Sequence, residues 1–279
     1  MNRRDFLQRS AATLAALSTP GRLAAGPGGS RLDRIGVQLY TVRDAMQRDF
    51  EGTLGRIAGV GYREVETAGY FGRTAAQVRD ALRRAGLSAP SAHVPLESLG
   101  TGWDQVLADA HTIGHRYLVM PWLDEKDRTS LDAYRRIADR LNRAGEAASR
   151  AGIRFAYHNH DFEFHPIEER LPYDLLLEST DPGHVRFQLD LYWITKGGQD
   201  PLAYFARWPG RFPSVHVKDS AGPPEHRMAD VGAGTIDWKR IFARRHEAGI
   251  EHFFVERDDP PDPFASIAAS YKYLRGLEL

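Results

Sequence analysis

A single-domain α/β fold, a (β/α)8 TIM barrel, is what the sequence predicts, on three observations. Eight short β-rich runs alternate with helical stretches, glycine recurs just ahead of many of those runs, and nearly every run ends on a polar or ionisable residue.

The β-rich runs cover 35–40, 62–67, 88–94, 117–120, 154–157, 185–190, 212–218 and 252–256. Between them, 49–60, 74–85, 130–151 and 237–248 carry apolar residues at three- and four-residue spacing, the period of a helix with one buried face. Gly61, Gly86, Gly114, Gly152 and Gly249 fall where such a helix closes before the next strand, a position that favours left-handed backbone. The competing arrangement is a doubly wound open sheet. It lacks its usual mark, because Tyr40-Thr41-Val42-Arg43-Asp44 follows the first strand in place of a glycine-rich dinucleotide loop.

At the start of the chain stand Arg3-Arg4, Phe6-Leu7, an alanine-rich run from Ala11 to Leu17 and small residues around Ala24-Ala25-Gly26. This pattern predicts a twin-arginine export signal over 1–26, a barrel over 27–279 and a periplasmic or secreted location; the apolar run is too short to span a membrane. Lys plus Arg and Asp plus Glu both number 37, so the formal net charge is zero and nothing suggests a nucleic-acid partner. There is no Cys, which removes disulfides, thiolate metal sites and cysteine nucleophiles. Any metal must be held by oxygen and imidazole.

In such a barrel the chemistry gathers at the carboxyl ends of the strands. There the sequence places Tyr40, Glu64 and Glu66, His93, Pro121-Trp122, His158 to Glu163, Asp190, His216 to Asp219, and Glu256 to Asp258. Strands five to eight thus deliver His158, Asp190, His216 and Glu256, a mixed imidazole and carboxylate set suited to one divalent ion of Mn, Mg, Co or Zn. The plainer alternative is a metal-free ion-pair network, which makes poor use of so many buried charges.

The same segments carry a family resemblance. Tyr-His-Asn-His-Asp-Phe-Glu-Phe from Tyr157, Gln-Leu-Asp-Leu-Tyr-Trp from Gln188, Val-His-Val-Lys-Asp from Val215 and Val-Glu-Arg-Asp from Val255 resemble segments of the xylose isomerase-like TIM-barrel superfamily. That superfamily includes sugar phosphate isomerases/epimerases, ketose 3-epimerases and inosose dehydratase. The resemblance implies a metal-dependent enzyme working through an enediolate on a small carbohydrate or cyclitol, as an isomerase or epimerase, and it allows a homo-oligomer. In the epimerases a Glu, an Asp, a His and a second Glu bind the metal; the last three fall on Asp190, His216 and Glu256. The first does not match: strand five offers His158, with His160 and Glu163 beyond it. This departure weakens a symmetric two-base epimerase and keeps open a lyase or dehydratase acting by β-elimination on a keto-glycoside or inosose. Export favours a free sugar or keto-sugar over a phosphorylated one. More remote readings are a non-catalytic carbohydrate-binding barrel and an endonuclease of the same fold.

Roles follow from this scheme. Glu256 or Glu163 is the expected general base, and Lys218 either neutralises the enediolate or pairs with Asp219. Glu66, His93, Trp122, His160 and Trp193 are the candidate substrate contacts, each with a structural alternative: a salt bridge for Glu66, a satisfied loop histidine for His93, aromatic filling of the barrel mouth for the tryptophans. Gly232 and Gly234 suit a turn before the helix at Asp237 better than a phosphate cradle. The stretch Asp258-Asp259-Pro260-Pro261-Asp262-Pro263 reads as a rigid rim loop.

Overall fold

A computed structural model describes residues 31, 32 and 34–279; the predicted export signal lies outside the described residues. Eight parallel strands close into a barrel: β1 (Ile35–Gln38), β2 (Glu64–Ala68), β3 (Ser88–His93), β4 (Tyr117–Met120), β5 (Arg154–His158), β6 (Val185–Asp190), β7 (Ser214–Val217) and β8 (His252–Val255). Each pairs with its sequence neighbours, and β8 closes on β1 through the register Ile35 to Phe253. The strands are buried on both faces, as a parallel sheet sheathed by helices requires.

The outer ring shows why the helical segments fold as they do. In Leu131–Arg150, Leu131, Tyr134, Ile137, Ala138, Leu141, Ala144 and Ala148 recur on one buried face, and Ser130 caps the start by accepting the Ala133 amide at 3.2 Å. Ala75–Ala85 begins with a capping box between Thr74 and Gln77. All five glycines expected at helix-to-strand junctions have φ between 69° and 126°. Among the described residues no helix is long and apolar enough to cross a membrane.

Two predicted elements are interrupted. The run 212–218 is a strand only over Ser214–Val217; beyond Lys218 the chain turns into a two-residue antiparallel ladder, Asp219–Ser220 against Met228–Ala229. The helix expected over 237–248 splits into Trp238–Phe242 and Arg245–Ala248, because Arg244, at φ −101° and ψ 10°, leaves the helical region.

Alternation along each strand sorts the interior residues into layers. At the amino-terminal end, His252 donates to Glu64 at 2.7 Å and faces Arg116. Gly36 gives the Phe254 ring its room, since a Cβ there would stand 2.6 Å from it. Above lie Gln38, Glu66, Ser91, Gln188 and Ser214, all buried. The carboxyl rim then carries His158, Asp190, Lys218 and Glu256.

Candidate active site at the carboxyl rim

Strand register brings the predicted ligands together. Asp190 pairs with His216 across β6 and β7, and His158 with Gln188 across β5 and β6. One nitrogen or oxygen from each of Asp190, His216 and Glu256 falls within 4.8 Å of the others. His216 Nδ1 lies 2.8 Å from Glu256 Oε2 and 3.9 Å from Asp190 Oδ2, while His158 Nε2 is 4.0 Å from that same Asp190 oxygen. Asp190 is the N-cap of the helix Leu191–Lys196: its Oδ1 accepts the amides of Tyr192 and Trp193, each at 2.9 Å. Its Oδ2 is buried and without a hydrogen bond, though Lys218 Nζ stands 3.3 Å away. An unsatisfied carboxylate oxygen facing two imidazoles and a second carboxylate fits a divalent cation. Asp190, His216 and Glu256, with His158 alongside, are the residues that could hold it.

The electrostatics follow from burial set against neighbours. Burial pushes the Asp190 carboxyl up to about 6, with Lys218 and His216 opposing it. Burial alone would lower His216, but Glu256 and Glu66 on its two nitrogens raise it to about 10. Burial and the surrounding imidazoles hold His158 well below its ordinary value, so it is neutral. His160 is neutral too, through burial and the nearby Lys218 charge. Burial disfavours a charged Lys218, yet Asp190, Glu256 at 2.8 Å and Asp258 at 2.9 Å outweigh it and keep the ammonium.

Above the cage opens a cavity of 820 Å³. His93, Trp122, His160, Trp193, Lys218 and Glu256 line it, as expected of the substrate contacts and of two of the catalytic groups. Trp122 stands edge-on to His160 with ring centres 4.7 Å apart. His160 Nδ1 and Trp193 Nε1 are buried without partners, two more polar atoms left unpaired beside the cage.

Four expectations need correction. Glu66 does not reach the cavity: it is fully buried in the layer beneath, where it accepts from Gln38, Ser91, Gln188 and His216 at 2.5–2.7 Å. Glu163 does not reach it either, because the 3-10 turn Phe162–Phe164 folds the side chain inward, where it accepts from the Tyr157 hydroxyl and, at 2.8 Å, from the His160 amide. Lys218 pairs with Asp190, Glu256 and Asp258 but not with Asp219, since neighbouring residues leave a strand on opposite sides. Asp219 instead accepts the amides of Gly232, Gly234 and Ile236 and the Trp238 indole, holding the glycine turn; a Cβ on Gly234 would meet its Oδ1 at 2.1 Å. Finally, the Pro-rich stretch after strand eight is more than a rim loop, because Asp258 enters the site on Lys218.

Glu163 also marks the fold's response to pH. Burial raises its carboxyl to about 7, against the partial help of Tyr157 and the His160 amide. The folded protein therefore keeps this proton through a range where the unfolded chain, near 4.5, has lost it. Stability falls as pH rises from about 4.5 to 7, by up to about 3 kcal/mol. Glu163→Gln should remove that slope, so the variant gains on the parent at pH 8 relative to pH 5. Denaturant midpoints that differ equally at the two pH values would contradict the assignment.

A closed parallel barrel with a nitrogen- and oxygen-lined cage at its carboxyl rim, under an aromatic cavity, defines the class to which this protein belongs. The chain is a member of the xylose isomerase-like TIM-barrel family, whose model matches residues 54–277. An inosose dehydratase of Lacticaseibacillus casei is 29% identical over 171 residues, 54% of this chain and 57% of that enzyme, so the chain spans little more than half the length of that relative. A sugar phosphate isomerase/epimerase of Parabacteroides distasonis superposes with a TM-score of 0.77 at 26% identity, over 90% of this chain and 95% of the other. The IOLI protein, solved with a bound zinc atom, shares the fold at a TM-score of 0.67 and 15% identity, over 86% and 95% of the two chains.

Sequence reasoning had no role for Gln188 or Asp258. Gln188 stands two residues before Asp190 on β6, where the two-residue period of a strand could have found it; Asp258 lies beyond the end of β8, where no such period applies.

Proposed function

We propose that this protein is a metal-dependent enzyme that removes the proton beside the carbonyl of an uncharged polyhydroxy ketone and then eliminates a β-substituent. Keto-sugars, keto-glycosides and inososes are the substrate class. The observation that carries this reading is the asymmetry of the cavity. Glu256 and Asp258 stand on the strand-eight side, whereas the strand-five side presents the neutral imidazoles of His158 and His160, with Asp161 tied to Lys196 at 2.9 Å and Glu163 turned away. Epimerisation by two bases needs a base on each face of the carbon, and where the superfamily's epimerases carry a glutamate on the strand-five side this chain presents imidazoles. A syn elimination needs one.

A divalent cation in the cage would polarise the carbonyl and its neighbouring hydroxyl and so acidify the intervening C–H. Glu256, lining the cavity, takes the carbon proton; the C–H electron pair forms the double bond, and the departing β-oxygen leaves with the proton that Glu256 returns. Lys218, held as an ammonium, offsets negative charge on the substrate oxygens. Trp122, Phe162 and Trp193 present apolar faces to the ring and keep water from the reacting carbon. The preference for an uncharged substrate follows from the lining: it carries Glu97, Asp124, Asp127, Asp161, Glu256 and Asp258, and among the described residues Lys218 is its one lysine or arginine, committed to three carboxylates, while Lys126 and Lys196 pair with Asp124 and Asp161 from outside the lining.

Isomerisation or epimerisation is the second reading, favoured by the Parabacteroides distasonis neighbour. Incubating metal-loaded protein with keto-sugars, inososes and 3-keto-glycosides in deuterated water separates the two. Loss of water or of an aglycone is the expected result, whereas deuterium incorporation without loss of mass selects the second reading. No exchange and no loss with any member of the panel rules out both, and phosphorylated analogues that outpace the free ketones overturn the substrate class.

A further inference from the structure

We infer that Glu66 and Gln188, neither of which lines the cavity, are positioning residues that fix which nitrogen of His216 and of His158 is free to hold a cation. The inference rests on the reading of the rim residues as cation ligands.

The hydrogen-bond chain leaves little freedom. A carboxylate can only accept, so Glu66 Oε2, 2.6 Å from His216 Nε2, requires the proton on that nitrogen. Nδ1 faces Glu256 at 2.8 Å and Asp190 at 3.9 Å and shares a proton with Glu256 in the metal-free protein, so it is the one nitrogen of His216 that an ion held by those carboxylates can take in place of that proton. The other Glu66 oxygen lies 2.7 Å from Gln188 Nε2 and decides the orientation of that amide, because only the NH2 end can donate there. Gln188 Oε1 therefore points the opposite way, 3.1 Å from His158 Nδ1 and 2.9 Å from His93 Nε2, and as an acceptor with two lone pairs it takes a proton from each, which places the His158 proton on Nδ1. His158 Nε2 then bears the lone pair, 4.0 Å from Asp190 Oδ2. That spacing is within the roughly 4.2 Å that can separate two atoms each bound at about 2.1 Å to one ion. One buried carboxylate thus aims both imidazoles, His216 directly and His158 through the intervening amide.

The test begins with the unmodified protein. Nitrogen-15 NMR of the metal-free chain should show His158 protonated on Nδ1; a proton on Nε2 overturns the inference whatever the metal does. Zn2+ affinity, measured by competition with a chromophoric chelator, should fall about 10- to 100-fold in Gln188→Met and in Glu66→Gln. Gln188→Met should also turn His158 into a tautomer mixture, and it decides the matter if Glu66→Gln does not fold. Asp190→Asn is the control: Zn2+ binding that is absent from the parent, or unchanged in this control, refutes the cation site itself. If the parent binds and the control does not, parent-like affinity in the folded Gln188→Met and Glu66→Gln variants refutes the relay alone.

Discussion

Asp190→Asn should abolish divalent-metal binding and turnover together while leaving the fold intact. The two oxygens of Asp190 do separate jobs. Oδ1 caps the helix Leu191–Lys196 through two amides, and Oδ2 faces the imidazoles and Lys218 without a hydrogen bond of its own. Asparagine caps a helix as well as aspartate does, so the first job survives the change. The second does not, because an amide carries no charge and is a far weaker ligand for a hard cation. Glu256 and Asp258 still hold Lys218, so the melting temperature should stay within a few degrees of the parent. Metal affinity should fall at least about 100-fold and kcat/KM with it. Elemental analysis after dialysis, set beside turnover, checks both. Stoichiometric metal and full activity in this variant would remove the cage from the mechanism.

The fold and the site were not equally legible in the sequence. Strand positions were, to within two residues, because a parallel barrel imposes short apolar runs and a helix-closing glycine before many of them; Gly61 and Gly249 show this at the two ends of the barrel. The residues of the cage were legible for a related reason: Asp190 and Glu256 follow apolar runs at strand ends, which the barrel brings to one rim. What a linear reading could not supply was depth. Glu66 and His93 both read as strand-end residues in the sequence, yet Glu66 is the middle residue of β2 and lies in a sealed layer, whereas His93 ends β3 and lines the cavity, a difference set by barrel register and a shift between β2 and β3. Nor could it decide which way a loop residue turns. Glu163 is five residues beyond His158, and a single 3-10 turn carries it away from the cavity. The partner of Lys218 was misjudged because Asp219 is adjacent in sequence, whereas Asp258 arrives from forty residues away.

Lys218→Met should destabilise the metal-free protein strongly and the metal-loaded protein much less. The ammonium is buried and lies within 3.3 Å of carboxylate oxygens from Asp190, Glu256 and Asp258. Methionine matches its length but leaves three carboxylates packed together with only His216 as a nearby cation. Removing one member of a buried charge cluster costs about 3–5 kcal/mol, on the order of 10 °C in melting temperature for a domain of this size. A divalent cation in the cage supplies the missing positive charge, and binding to the folded state alone adds stability by mass action. Saturating Zn2+ or Mn2+ should therefore recover more than half of the loss, and the variant's metal affinity should match or exceed the parent's, since the ammonium no longer repels the incoming ion. Turnover should stay at least about 100-fold down even with metal bound, because the charge that offsets the substrate oxygens is gone. Thermal melts of parent and variant, each with and without metal, test the coupling. If the two melting temperatures differ by the same amount in both conditions, the lysine and the cation do not share a site, and the cage lies elsewhere or does not form.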